Sequence, residues 1–242
     1  MKAIILAAGK GTRLRPLSYA IPKPLLPVAG RPVIEYVIDN LTRTGRIDEI
    51  IVAVSYLKEA VERYFAHTPR DIALRLVHTP GWETGGDLKA ICQNEGIREP
   101  VLVAYGDNIT DLNVSGLLDF HDQHHFWASV ALFAVPDDLV DRFGIATMDG
   151  DTITAFQEKP KKQEVQSRLA NAGYYILNEQ AIDALPEAHD KVEHLLFPPL
   201  AQQGRLGGFV SNVSHWIDIG TLESYRRANR LIEKGIQPTQ QQ

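Results

Sequence analysis

The sequence predicts an α/β fold: a Rossmann-like, mostly parallel mixed sheet flanked by helices, with antiparallel strands added in the second half. Three observations carry this. Short β-rich apolar runs alternate with amphipathic stretches of helical length through the first half. Past His125 the strand-like runs follow one another with few helices between them. The 242 residues, 44% hydrophobic and 23% charged, have the composition of a globular chain long enough for a sizeable core.

The elements follow in order. Residues 3–7 read as a buried first strand, 32–41 as a helix opened by Pro32, and 49–54 as a second strand. A helix over 57–65, a strand over 73–77, a helix over 86–94 and a strand over 101–105 ending in Gly106-Asp107 come next. Residues 112–125 read as helical. Strands are expected over 128–135, 144–148, 152–157 and 172–177, with Asp149-Gly150-Asp151 as a tight hairpin turn. Later helices cover 195–203 and 222–234, and 236–242 form a frayed tail. With no internal repeat or long linker, a single domain over 1–235 is expected, its texture changing after the 112–125 helix.

Charge and cysteine content exclude several function classes. Lys and Arg number 25 against 30 Asp and Glu, a net charge of -5, so no basic field draws the chain to nucleic acid or an anionic membrane. The single cysteine, Cys92, excludes an internal disulfide and any zinc site with several thiolates, and points to a reducing cytoplasm. The apolar run after Lys2 ends at Gly9, too short for a secretion signal, and no later run reaches the length of a membrane span.

The most informative stretch is LAAGKGTRLRPLSYAIPKPLLP, residues 6–27. Small residues directly after a buried strand let backbone amides approach an anion, and Arg13 and Lys23 can add charge. The dinucleotide fingerprint fails here because Leu14 stands at its third glycine, and a Walker A loop fails because Lys10 precedes the second glycine. Pro22 and Pro24 stiffen the backbone around Lys23. The succession G-x-G-T-R-L, then P-K-P-L-L-P, resembles the sugar-1-phosphate nucleotidyltransferases, or nucleotide-sugar pyrophosphorylases.

That resemblance, extending over roughly residues 2 to 230, implies a nucleoside triphosphate held by residues 1–112 and a sugar phosphate by 113–235. It implies that Leu6, Ala8, Gly9, Gly11 and Thr12 contact the nucleotide. Arg13 would steady the departing pyrophosphate and Lys23 the transferred α-phosphate. Asp107, in Gly-Asp, and Asp218, in W-x-D-x-G-T, would bind Mg²⁺; each follows an apolar run at a strand end. Taken alone, either aspartate reads as a turn or capping residue.

On the sugar side, Gly144, Glu158-Lys159-Pro160 and Asn171-Ala172-Gly173 resemble the same family in order. Gly144 would approach the sugar through its backbone, Glu158 and Asn171 would bind hydroxyls, and Lys159 would neutralise the sugar phosphate. Singly, these residues read as a strand glycine, a solvated ion pair and a turn residue. The chain departs from the family where many relatives carry Pro-x-Gly-Thr or Pro-x-Gly-Leu against the base. It reads Trp82-Glu83-Thr84-Gly85-Gly86, which leaves Gly85 as the base-contacting glycine.

Other signals are set aside. His121 and His125 lie four apart but lack a third ligand, and read as a solvated helix face. Cys92 and the three tryptophans read as packing residues. The expected activity joins an NTP to a hexose-1-phosphate: glucose-1-phosphate with dTTP or UTP, or mannose-1-phosphate with GTP. Gly106-Asp107-Asn108 leans to the first pair and Asn171-Ala172-Gly173 to the second. The alternative is a noncatalytic regulatory or assembly subunit, against which stand Arg13, Lys23, Asp107, Lys159 and Asp218, all present. No appended repeat domain is expected after the helix that follows Asp218, and any homo-oligomer is expected to assemble through this domain.

Overall fold

The computed structural model describes residues 1–165 and 167–235. The tail expected over 236–242 lies outside them. In chain order the strands and helices begin with β1 (Lys2–Leu6), β2 (Pro27–Val28), β3 (Arg31–Pro32), α1 (Val33–Thr42), β4 (Glu49–Val54), α2 (Lys58–Ala66) and β5 (Ala73–His78). Then come α3 (Glu83–Asn94), β6 (Val101–Tyr105), β7 (Asn108–Thr110), α4 (Val114–Gln123), β8 (Ala128–Ala134), β9 (Gly144–Asp149), β10 (Thr152–Glu158) and β11 (Leu169–Leu177). The series closes with α5 (Glu179–Ala184), α6 (Val192–Leu195), α7 (Phe197–Gln202), β12 (Leu206–Val210), β13 (Trp216–Asp218) and α8 (Leu222–Glu233). No helix among the described residues is long and apolar enough to cross a membrane.

The chain forms two compact units, each assembled from interleaved segments. Unit one takes Met1–Gly81, Ala104–Leu112 and the chain from Val213; unit two takes Trp82–Val103 and Asn113–Asn212. One crossing between the units falls between Leu112 and Asn113. In addition, 82–103 go with unit two and the stretch from 213 with unit one.

In unit one, β1 pairs in parallel with β4, and β4 with β5, the connections running through α1 and α2 as a βαβ pattern requires. Pro32 caps α1 at its start, as expected, since its missing N–H is not needed there. Leu14, Leu26, Val28, Val33, Ile109, Ile217 and Ile219 bury together beneath Tyr36, Leu222 and Tyr225. Thr221 opens α8 with a reciprocal cap: its hydroxyl accepts from the Ser224 amide while Ser224 Oγ accepts from the Thr221 amide. The β7–β13 pairing is antiparallel, with Asp218 opposite Asn108. Three residues per strand were too few to signal it.

Unit two is mainly antiparallel. β8 pairs antiparallel with β11 and parallel with β12, and β10 pairs antiparallel with β12 and β9. β9 pairs in addition with β11, so the strand order β11-β8-β12-β10-β9 returns on itself. The hairpin at Asp149-Gly150-Asp151 forms as expected, with Asp149 opposite Thr152 and Gly150 at φ +55°.

Several expectations are corrected here. β12 was missed because LGGFV carries two glycines, which weaken a strand signal. The structure uses them to admit neighbours: a Cβ at Gly207 would stand 2.2 Å from the Phe126 ring, and one at Gly208 would stand 2.7 Å from Met148 Cε. Asn171 lies inside β11, buried, not in a turn. His121 is buried with Nδ1 2.8 Å from Ser129 Oγ, so that side of α4 is not solvated. Burial lowers the His121 pKa. Cys92 packs in the core, where burial pushes its thiol up to about 12. Trp82 stacks on His189 at 4.3 Å yet keeps 41% of its surface exposed.

Candidate functional site

The residues expected to serve the nucleotide lie in unit one, apart from Gly85, which lies in unit two. The turn after β1 reverses at Gly11, in the left-handed region at φ 59° and ψ 39°. Its carbonyl accepts from the Leu14 amide at 2.9 Å and from Ser18 Oγ at 2.8 Å. A Cβ at Gly11 would stand 3.3 Å from the Lys23 Cβ, so this glycine lets the turn close on the lysine. At Gly9 nothing lies within 4 Å of where a Cβ would stand, which leaves that side open to a ligand. Leu6 gives its carbonyl to the Gly106 amide at 3.0 Å, Ala8 is half-buried, and Thr12 and Arg13 are exposed in a 3₁₀ turn.

Lys23 sits between buried Pro22 and Pro24, and its ammonium donates to Asp107 Oδ2 in an ion pair. Asp218 joins them. Burial, and then the neighbouring Asp107 charge, raise its pKa above the usual carboxylate range, against the lowering by Lys23, Arg13 and the Gly220 amide. Gly220 is tightly placed: a Cβ there would lie 2.6 Å from Asp218 Oδ2 and 3.2 Å from Arg13 Nη2. Three of the expected site residues stand beside buried anchors: Arg13 precedes Leu14, Asp107 lies two before Ile109, and Asp218 separates Ile217 from Ile219. The Ile219 amide donates to the Asp107 carbonyl at 3.1 Å, tying the two aspartate segments together.

The donor set fits a hard divalent cation. Two carboxylates that repel one another offer oxygen ligands, and phosphate oxygens complete such a shell in the usual way for Mg²⁺. Arg13 and Lys23 stand ready for anionic oxygens.

In unit two the expected sugar-side residues also converge. Gly144 and Glu158 are partners across the β9–β10 ladder, while Ile145 pairs with Ala170, the neighbour of Asn171. The double pairing of β9 therefore brings together residues from three successive strands. A Cβ at Gly144 would strike Phe156 Cζ at 2.5 Å and come within 3.0 Å of Glu158 Oε2. The Asn171 side chain accepts from the Gly173 amide at 2.9 Å, where β11 breaks register. Lys159 takes a positive φ of 48°, its amide donating to the Phe143 carbonyl at 3.0 Å and its side chain half exposed.

Sequence reasoning missed Lys191, whose ammonium is 3.2 Å from Glu158 Oε1. Nothing in its local sequence marks it. Gly85, expected in a loop, lies buried in the first turn of α3, where its amide donates to the Asp190 carbonyl at 3.0 Å.

A model of the nucleotidyl transferase family matches residues 2–235. The chain is 34% identical over 245 residues to a UTP--glucose-1-phosphate uridylyltransferase of Synechocystis sp., covering 95% of this chain and 63% of the relative. It is 31% identical over 245 residues to a mannose-1-phosphate guanylyltransferase of Mycobacterium tuberculosis, covering 98% of this chain and 66% of the relative. The chain thus spans just under two thirds of the length of each. Among solved structures, a UDP-glucose pyrophosphorylase complexed with UDP-glucose shares the fold at TM-score 0.83 and 20% identity, covering 97% of this chain and 98% of the other.

Proposed function

Since the chain belongs to the nucleotidyl transferase family, we propose that it transfers a nucleotidyl group from an NTP to a hexose-1-phosphate, yielding an NDP-sugar and pyrophosphate. The substrates suggested are glucose-1-phosphate with dTTP or UTP, or mannose-1-phosphate with GTP, in the cytoplasm. A phosphate oxygen of the sugar phosphate attacks the α-phosphorus; the bond to the bridging oxygen of the β-phosphate breaks, and pyrophosphate leaves with its electron pair. The second pKa of a phosphate monoester is about 6, so the nucleophile is already ionised at neutral pH and no side chain need remove a proton. Catalysis reduces to orientation and charge neutralisation.

The nucleotide task falls to unit one. Leu6, Ala8, Gly9, Gly11 and Thr12 line the triphosphate, Arg13 steadies the leaving pyrophosphate and Lys23 neutralises the α-phosphate. Asp107 and Asp218 hold Mg²⁺, which supplies positive charge to the polyphosphate. In unit two Gly85 contacts the base, Gly144, Glu158 and Asn171 contact the sugar, and Lys159 neutralises its phosphate. The observation that carries the reading is the meeting of Arg13, Lys23, Asp107 and Asp218, drawn from three separate stretches of unit one.

Pyrophosphate release over a panel of NTPs and hexose-1-phosphates, with and without EDTA, tests it. Release is expected with at least one pair and is lost on chelation; no release with any pair overturns the reaction, and release undiminished by EDTA overturns the metal assignment.

A further inference from the structure

We infer that Lys191 is a positioning residue that ties the glycine segment opening α3 to the carboxylate of Glu158. The inference rests on the proposed reaction and deepens it, because Glu158 and Gly85 are the groups there assigned to sugar and base.

Glu158 is 10% exposed at its side chain, and its Oε1 is shared by Lys191 Nζ at 3.2 Å and Lys159 Nζ at 3.5 Å. The other oxygen, Oε2, lies 3.0 Å from where a Cβ at Gly144 would stand, a position that Phe156 Cζ also crowds at 2.5 Å. Oε1 is held between two ammonium groups, with the Glu193 charge also acting on Lys191, and Oε2 is left to accept from a hydroxyl. Burial alone would lower the Lys191 pKa, but the Glu158 charge and hydrogen bond more than offset it, and Lys191 stays protonated. Lys159 is the more exposed of the two, at 49% of its side chain against 32% for Lys191.

The backbone on both sides of Lys191 is held by α3. The Asp190 carbonyl accepts from the Gly85 and Gly86 amides at 3.0 and 3.3 Å, and the Val192 amide donates to Thr84 Oγ1 at 3.1 Å. Thr84 Oγ1 in turn donates to Glu193 Oε2 at 3.3 Å. The approach is close enough to require a glycine: a Cβ at Gly85 would stand 2.7 Å from the Asp190 carbonyl oxygen and 3.0 Å from the Val192 amide nitrogen. A shift of residues 84–86 therefore moves residues 190–192, and Lys191 carries that shift to Glu158.

The test measures KM for both substrates and kcat by pyrophosphate release in wild type, Lys191→Met, Lys191→Arg, Thr84→Val and the double variant Lys191→Met/Thr84→Val, with melting temperatures alongside. Loss of one charge-assisted hydrogen bond predicts a hexose-1-phosphate KM raised about tenfold in Lys191→Met. The NTP KM and kcat stay within about twofold, and Lys191→Arg recovers most of the loss. Thr84→Val is expected to shift the sugar KM the same way, and the double variant to lose less than the product of the single effects. A sugar-phosphate KM unchanged in Lys191→Met, no rescue by arginine, an equal loss for both substrates, or strictly multiplicative effects overturns the inference while leaving the reaction standing. A wild type without activity on any pair overturns the reaction and the inference with it.

Discussion

Asp218→Asn is expected to make the metal-free protein more stable while abolishing its turnover. Burial and the facing Asp107 both disfavour the charged form of Asp218, and they outweigh the attraction of Lys23, Arg13 and the Gly220 amide. The amide is isosteric and still accepts a hydrogen bond, so the substitution removes the misplaced charge and little else. Relief of one such functional strain is worth on the order of 0.5–2 kcal/mol. For a chain of this length 1 kcal/mol moves Tm by about 2–4 °C. Because the folded pKa is raised, the penalty is absent below the ordinary carboxylate range and complete above the folded pKa. The advantage of the variant should therefore be full above the folded pKa and fade as pH falls from that value toward the ordinary carboxylate range. Scanning calorimetry in EDTA reads the gain, and added Mg²⁺ should raise the Tm of wild type but not of the variant. A variant melting below wild type in EDTA at pH 7, or keeping the Mg²⁺ response, refutes the reasoning.

Three further outcomes are expected. Lys23→Met should lower kcat by about 10²-fold or more while changing the sugar-phosphate KM only a few-fold, and normal single-turnover chemistry would remove Lys23 from its role. Gly85→Ala places a methyl 2.7 Å from the Asp190 carbonyl oxygen and 2.8 Å from Leu195 Cδ1, which should cost about 1–3 kcal/mol in urea unfolding; an unchanged midpoint contradicts that contact. Acid should weaken the fold in two steps, best followed in Asp218→Asn, whose opposing titration is gone. Burial holds His215 and His121 below their ordinary value of about 6.5, so the unfolded chain takes up protons first and stability declines from there downward. At lower pH Asp111 adds to the loss. Burial alone would raise its pKa, but donors from Ser214 and His215 more than offset this and hold it low, so its contribution, full above the ordinary range, is lost as pH falls through the folded value. A urea midpoint that rises between pH 6.5 and 5 would show the histidine reasoning to be wrong.

Much of this was legible in the chain because local chemistry wrote it there. The turn at Gly11 needs a left-handed residue closing on Lys23, and the glycine and the flanking prolines announce both. The parallel strands of unit one read clearly, since apolar runs alternating with amphipathic helices leave few other solutions. What stayed hidden depends on partners distant in sequence. The strand Leu206–Val210 carries glycines whose reason is the Phe126 ring and the Met148 thioether, neither of which its own residues reveal. Asn171 looks like a turn former until β9 and β8 pair with its strand. His121 looks solvated by spacing alone; Ser129, on the following strand, supplies the polar partner that lets it be buried. Lys191 belongs to no motif, and only the closing of β9 onto both β10 and β11 explains why a carboxylate waits beside it.

The pairing of Asn108–Thr110 with Trp216–Asp218 has a consequence for biosynthesis. Roughly 110 residues separate its two strands, and at about 5–20 residues per second the ribosome needs some seconds to supply the second. Throughout that interval Ile109 lacks Ile217 and Ile219 as apolar neighbours, and Asp107 lacks its acidic companion. A nascent chain in this state is barred from forming the proposed two-carboxylate cation site, so any magnesium affinity of that site would arise only once synthesis has passed Asp218, as a late signature of successful folding.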